Sequence, residues 1–471
     1  MVRDASLGSG RRGTEAHGTR CREGEAGHDA LMEGTMEDTS RSQTVSTKLF
    51  KIAEQAARYP DTVFTTLAHL IDVDFLREAH RRTRKKGAAG VDGVTAEKYA
   101  ENLEDNLQDL HERMRSGRYK APPVKRAWID KDDGSQRPIG KPAFEDKILQ
   151  RTVAMLMGAI FEKDFHEFSY GFRPGRSAHQ ALSALREQCM DMNIGTIVDA
   201  DVSGFFDNIN WKQLVEVIKK RVNDGALIRL IGKWLHAGVM EDGVFYHPIK
   251  GTPQGGVISP LLANIFLNHV LDEWWVTTVQ PRMRGRCFLV RFADDFVIGF
   301  ENEDDAHRFM KVLPKRFQRF HLTIHPKKTR QIDFRKPDSG SDSGSGKDTF
   351  DFLGFTHYWA RSRRGYWVIK RRTARSRLRR TIKAIRIWCR NNRHLPVAVQ
   401  HKKLCQKLRG HYAYFGIRSN MRPMDRALYC AQRAWQFWLS RRSHKGYVSW
   451  EKFKVLCTIY PLPEPRIVHQ I

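Results

Sequence analysis

Residues 291–300 read RFADDFVIGF. Asp294 and Asp295 stand side by side between two apolar, β-prone runs, and CFLV at 287–290 extends the first of them. The pattern predicts two short strands with a polar turn between them. Adjacent carboxylates exposed on a turn would be unremarkable. Flanked by Phe292 and Phe296, they sit instead at a hairpin tip over a sheet. Like charges held close in a partly buried place are costly unless a cation joins them. Magnesium prefers hard carboxylate oxygens together with substrate phosphates, so the tip reads as part of a divalent-metal site.

A second acidic run lies upstream, IVDADVSGFFDNI at 197–209. Asp199 and Asp201 are two residues apart, so an extended strand turns both to one side and Val198 and Val202 to the other. If this strand lies beside the hairpin, three or four carboxylates converge. Two metal ions roughly 3.5–4 Å apart would then stabilise the attacking and leaving oxygens of a phosphoryl displacement. One would acidify a 3′-hydroxyl, and the other would hold a triphosphate.

Working outward, the 471-residue chain carries a net charge of +28, which implies a polyanionic partner, with nucleic acid as the default. No apolar run reaches the roughly 18 residues of a membrane span, and residues 1–13 lack the apolar stretch of a secretory signal. The seven cysteines include no CxxC pair, which argues against a disulfide framework or a zinc site and for reduced thiols in a cytosolic protein. Residues 1–46 are poor in apolar residues and are expected to be disordered, with order beginning near Leu49. KRAWIDKDDGSQRPIG at 125–140 reads as a hairpin and KILQRTVAMLMGAIFEKDF at 147–165 as a helix. Further helices are expected at 211–222 and 227–236. This irregular order predicts an α+β domain with one small antiparallel sheet. Residues 336–349, KPDSGSDSGSGKDT, read as a linker. Beyond it, residues 352–424 contain no Asp or Glu, and 367–390, WVIKRRTARSRLRRTIKAIRIWCR, read as one basic helix. Like charges at i, i+4 destabilise an isolated helix, so an acidic partner best explains it.

Together these blocks resemble a known family. FADD, VDADVSGFFDNI and TPQGGVISPLLANIFLN (252–268), in their relative order, look like the palm motifs of reverse transcriptases. KGAAGVDGVT (86–95), RPIGKPAFEDKILQR (137–151), SYGFRPGRSAHQAL (169–182), LTIHPKKT (322–329), FDFLGFTH (350–357) and RGHYAYFGIRSN (409–420) are similar to blocks of group II intron-encoded reverse transcriptases and maturases. The resemblance covers roughly residues 50–471.

It implies a right-hand polymerase fold followed by an α-helical thumb or maturase domain. The implied units are fingers and palm at 47–335, the linker, a primer-grip segment at 350–360, a basic helical domain at 361–445 and a tail at 446–471. It implies an RNA-directed DNA polymerase using dNTPs and two Mg²⁺ ions, with Mn²⁺ as the alternative. Asp201, Asp294 and Asp295 match the metal-binding aspartates; Asp199 is not carried over as a ligand and is expected to tune the field or to pair with a basic neighbour. Phe206 matches the residue that excludes a 2′-hydroxyl, and Gln254 one that lines the nucleotide site. Arg137, a better candidate than Lys125, would meet the triphosphate, and Lys328 would protonate pyrophosphate. Arg371, Arg372, Arg375, Arg379, Lys383 and Arg386 would bind RNA. The implied partners are intron RNA, an RNA template and a DNA primer or target, with no membrane; a homodimer is left open. The implied location is the bacterial cytosol, beside the nucleoid during work on DNA. The chain's last segment offers one His and no Cys pair, so the likeness does not extend to the HNH endonuclease that many members carry. Two other readings share the palm: a splicing cofactor without polymerase activity, and a domesticated reverse transcriptase serving defence or diversity generation.

Overall fold

The computed structural model describes residues 28–130, 136–241, 243–247, 250–252, 255–337, 348–443 and 446–471, with side chains from residue 43 onward except at Asp130. Its strands are β1 (Val124–Asp130), β2 (Gln136–Lys141), β3 (Thr196–Ala200), β4 (Val239–Glu241), β5 (Val244–Tyr246), β6 (Cys287–Phe292), β7 (Asp295–Phe300), β8 (Arg330–Asp333), β9 (Phe350–Phe352), β10 (Phe355–Arg361) and β11 (Trp367–Thr373). They form sheets of order β2-β1-β4-β5, β6-β7-β3-β8 and β11-β10-β9. The expected α+β class holds, but the single small sheet becomes three. In the first sheet β1 pairs antiparallel with β2 and parallel with β4.

The β6-β7-β3-β8 sheet is antiparallel throughout, and it is apolar on both faces. Val198, Ala200, Leu289, Phe296 and Ile298 pack into the largest core cluster, with Ile265, Phe309 and Leu313. Ile197, Phe288, Val290 and Val297 pack into a second cluster, with Leu182 and Leu185 of the helix Ala178–Asp191 and with Phe350 and Trp359. Side chains alternate along a strand, so Asp199 and Asp295 share the face of Ile197 and Val297. Both carboxylates therefore project at the end of a doubly covered sheet.

The helices Arg375–Asn391, Val397–Phe415, Met421–Leu439 and Trp450–Ile459 form a third cluster around Leu408, Trp435 and Phe453. The expected tail at 446–471 is thus partly core. Trp450–Ile459 is helical, and its Phe453 meets Trp435 edge-on at 5.6 Å.

Two other expectations are corrected. Residues 367–390 do not form one helix. Trp367, Ile369, Arg371 and Thr373 alternate inward on β11, and the helix starts only at Arg375. The basic residues hid a period of two in a run rich in β-formers. At the other end, the helix His28–Arg58 covers part of the 1–46 segment expected to be disordered. The physical reason is visible in its second half: Val45, Ile52 and Ala56 are buried, and they tie the helix to the main core. Residues 1–27 lie outside the described residues, as does most of the expected linker.

Candidate functional site

Phe292 at the end of β6 faces Asp295 at the start of β7, leaving Ala293 and Asp294 as the turn. Ala293 has φ +58°, a left-handed conformation uncommon for a residue other than glycine. β3 lies next to β7, with Ala200 opposite Phe296, so Asp201 emerges beside the tip. The backbone N–H of Asp201 donates to the Thr329 hydroxyl at 3.3 Å, and its carbonyl accepts from His325 N–H at 2.8 Å. The 322–329 segment thus holds the end of β3 in place.

The three predicted aspartates are close enough to perturb one another. Burial pushes the Asp295 carboxyl up to about 8, with further push from Asp199, Asp294 and Asp201 and a smaller opposing pull from Arg377. Asp294 is raised mainly by burial and also by Asp201; Arg137 and Arg291 oppose the shift. Among the described residues no three His, Cys, Asp or Glu side chains are arranged as a ready-made cation cage. Asp201 instead pairs with Lys328 at 3.1 Å, and Asp199 with Arg330 at 3.1 Å. The pairing of Asp199 with a basic neighbour is the expected one, since Arg330 sits directly opposite it across β3 and β8. Clustered hard oxygen donors, with Asp294 and Asp295 raised in proton affinity by burial and neighbouring carboxylates, fit a divalent cation, which would replace that repulsion with attraction.

What aims this tip is a buried network absent from the sequence reading. Arg291 and Asp272 are both fully buried and ion-paired. The Arg291 guanidinium donates from Nε to Asp272 Oδ1 at 2.8 Å, and from one terminal nitrogen to Asn264 Oδ1 at 3.0 Å and the Ala293 carbonyl at 3.1 Å. Asn264 in turn donates to the Gly171 carbonyl at 2.7 Å. A Cβ on Gly171 would lie 2.3 Å from Ala293 N, so only glycine lets SYGFRPG approach the turn. The sequence signal was available: an arginine inside an otherwise apolar strand must be partnered when buried.

Of the other predicted residues, Phe206 is half-buried, with its ring edge-on to Phe205 at 5.4 Å. Arg137 pairs in register with Ile129 and is close enough to Asp294 to lower its proton affinity. Lys328 is at the site through Asp201. Gln254 lies outside the described residues. Arg375, Arg379, Lys383 and Arg386 are exposed on the helix Arg375–Asn391, and Arg372 is exposed on β11 over the Tyr358 ring at 4.9 Å. Arg371 is corrected: its side chain is buried and donates to the Leu182 carbonyl at 3.1 Å, so it faces the core rather than RNA. Burial and the nearby Arg186 push its guanidinium down to about 10.

The sequence model of the family described as reverse transcriptase (RNA-dependent DNA polymerase) matches residues 129–357, which span both carboxylate runs. Protein YkfC of Escherichia coli is 36% identical over 283 residues, covering 53% of this chain and 74% of that protein. The group II intron-encoded protein LtrA of Lactococcus lactis subsp. cremoris is 33% identical over 228 residues, 48% of this chain and 38% of that protein. The chain belongs to the group II intron-encoded reverse transcriptases and maturases. An uncharacterized 91 kDa protein in the cob intron of Schizosaccharomyces pombe is 29% identical over 246 residues, covering 52% of this chain and 30% of that protein. Reverse transcriptases of this kind are RNA-directed DNA polymerases. Among the described residues no helix is long and apolar enough to cross a membrane.

Proposed function

We propose that the chain copies RNA into DNA at the Asp201–Asp294–Asp295 cluster and that its C-terminal helices hold intron RNA during splicing and mobility. The observation that carries the first half is the placement of the carboxylates: Asp294 and Asp295 stand where β6 turns into β7, and Asp201 leaves the adjacent end of β3, which pairs with β7. In this reading the β6-β7-β3-β8 sheet is the palm, the β1–β2 hairpin belongs to the fingers and the helices from Arg375 onward are the thumb and maturase region. Asp201, Asp294 and Asp295 would hold the divalent cations, Mg²⁺ or Mn²⁺, which when bound supply charge neutralisation and acidify the primer hydroxyl. Phe206 lies beneath the incoming sugar, where its bulk leaves no room for a 2′-hydroxyl. Arg137 reaches over from the β1–β2 hairpin and neutralises triphosphate charge. Lys328, ion-paired with Asp201, is the proton donor nearest a departing pyrophosphate. A cytosolic location goes with this reading. RNA-templated primer extension tests it: DNA product that requires Mg²⁺ is expected, and the absence of product contradicts it.

The RNA half rests on one helix face. Arg375, Arg379, Lys383 and Arg386 recur at helical spacing on the exposed side, while Ile385 and Cys389 are buried on the other. Replacing these four with glutamine is expected to weaken RNA binding and to lower the slope of log affinity against log salt by up to about 3, at roughly 0.7 per phosphate contact. An unchanged slope would show that RNA lies elsewhere.

A further inference from the structure

The helix Val397–Phe415 ends beside the helix Ala178–Asp191, and its last carbonyls are taken by side chains from other segments. A helix leaves its final four C=O groups without partners of its own. Here Gly416 N–H donates to the Tyr412 carbonyl at 2.8 Å. The Ala413 carbonyl accepts from His469 Nε2 at 2.8 Å, and the Tyr414 carbonyl from His179 Nε2 at 2.8 Å. The Phe415 carbonyl accepts from Asn420 Nδ2 at 2.7 Å, and Asn420 Oδ1 accepts from Thr373 N–H of β11 at 2.7 Å. A carbonyl only accepts, so both histidine rings carry a proton on Nε2. The two rings stack, with centroids 3.6 Å apart and planes 22° apart.

We propose that His179 and His469 are positioning residues: their stacked rings clasp the end of the helix Val397–Phe415 to the palm, and so hold a bound primer–template duplex against the carboxylates. The proposal rests on the polymerase reading, in which that helix belongs to the thumb. The clasped helix end reaches the carboxylate site. Tyr414 donates from its hydroxyl to the Leu353 carbonyl at 2.8 Å. Burial raises the proton affinity of that hydroxyl; Arg377 opposes the shift and the charge of Asp295 adds to it. Phe292, directly before the turn that carries Asp294, packs into the same apolar cluster as Tyr414 and Phe415. A thumb helix released at this end would shift against the site.

Residues 466–471 complete the clasp. Val468 N–H and His469 N–H donate to the Gly416 carbonyl at 2.7 and 2.9 Å. A Cβ on Gly416 would lie 2.6 Å from the Arg466 carbonyl, so glycine admits the segment there. Ile467 and Val468 are exposed, so the segment holds through these backbone bonds, through the His469 ring and through Ile471, which packs against the second core cluster. Burial lowers the His179 imidazole below its ordinary value against its bond to Tyr414, with further push from His469 and Arg371. That ring is neutral at neutral pH and meets its neighbour without like-charge repulsion.

The test is primer extension from a preformed complex of protein, RNA template and DNA primer, started with dNTPs and excess unlabelled primer–template as a trap. The first-nucleotide rate, the burst amplitude and the length of product made before dissociation are read separately. His179→Leu is expected to raise the dissociation rate about fivefold, the equivalent of one lost hydrogen bond, and to shorten the products accordingly. The first-nucleotide rate should stay within about threefold, since no group that touches substrate is changed. His179→Gln keeps an N–H donor toward the Tyr414 carbonyl and should dissociate within about twofold of wild type. Should His179→Leu fail to fold, His469→Leu, which keeps both backbone bonds to Gly416, gives the same reading. A merely structural role would lower the burst amplitude while each active complex dissociates at the wild-type rate. That result, or equal dissociation by the His179→Leu and His179→Gln variants, overturns the clasp alone. A wild type that incorporates no nucleotide overturns the polymerase reading and the clasp with it.

Discussion

Replacing Asp294 and Asp295 together by alanine should lower RNA-templated nucleotide incorporation at least about a thousandfold, a barrier increase of ~4 kcal/mol. The variant loses two of the three carboxylates, Asp294 on the turn and Asp295 at the start of β7, and Asp201 remains paired with Lys328. RNA affinity should stay within about twofold, because the exposed cations of Arg375, Arg379, Lys383 and Arg386 lie on a different element. Folding stability should not fall at neutral or higher pH. The folded-state pKa of Asp295 is raised to about 8, above its unfolded value, so folding favours its protonated form. Its contribution to stability is greatest at low pH and is lost as the pH rises toward about 8. Above that, the ionised carboxylate only burdens the fold, and alanine removes the burden. A site that costs stability while supplying chemistry is the usual functional compromise. Primer extension, equilibrium RNA binding and a melting curve on the same preparation check all three parts.

The second large effect concerns Arg291. Arg291→Met strands Asp272 as an uncompensated charge in a fully buried site, and this should destabilise the protein by about 3–5 kcal/mol. Removing both partners, as Arg291→Met with Asp272→Leu, should recover most of that loss, since an apolar pair of similar volume replaces a desolvated ion pair. Activity should not recover with it. The Ala293 carbonyl and Asn264 Oδ1 still lack the guanidinium that held them, so the turn carrying Asp294 is no longer aimed. Denaturation midpoints for the single and double variants separate the two roles. If the double variant regains full incorporation, the network serves stability alone.

The adjacency of the two acidic runs was legible in the sequence. Paired aspartates between β-prone runs, plus a second acidic strand with period two, allow little but a shared site, and β7 does lie beside β3. Asp199 was set apart by the family resemblance, and in the structure it pairs with Arg330. Elements whose role depends on distant contacts were harder to see. Arg371 is read as a surface charge until β10 pairs with β11 and turns it inward beneath the helix Ala178–Asp191. Arg291 stands 19 residues after Asp272 and 27 after Asn264, a spacing with no local signature, and the three become one network only when SYGFRPG packs against the hairpin. The helix before residue 47 was hidden for a different reason: composition measures whether a segment can form its own core, not whether it extends a helix anchored by Val45 and Ile52.

If Asp201, Asp294 and Asp295 hold divalent cations at the polymerising site, Mn²⁺ binding reports it most directly. Protein is mixed with an RNA template, a chain-terminated primer and the next dNTP, and bound Mn²⁺ is followed by electron paramagnetic resonance. The wild type should retain about two ions per ternary complex, the number that a two-metal phosphoryl transfer requires. Asp294→Ala with Asp295→Ala should lose this binding while still holding the template. Equal Mn²⁺ retention by both proteins would contradict the account.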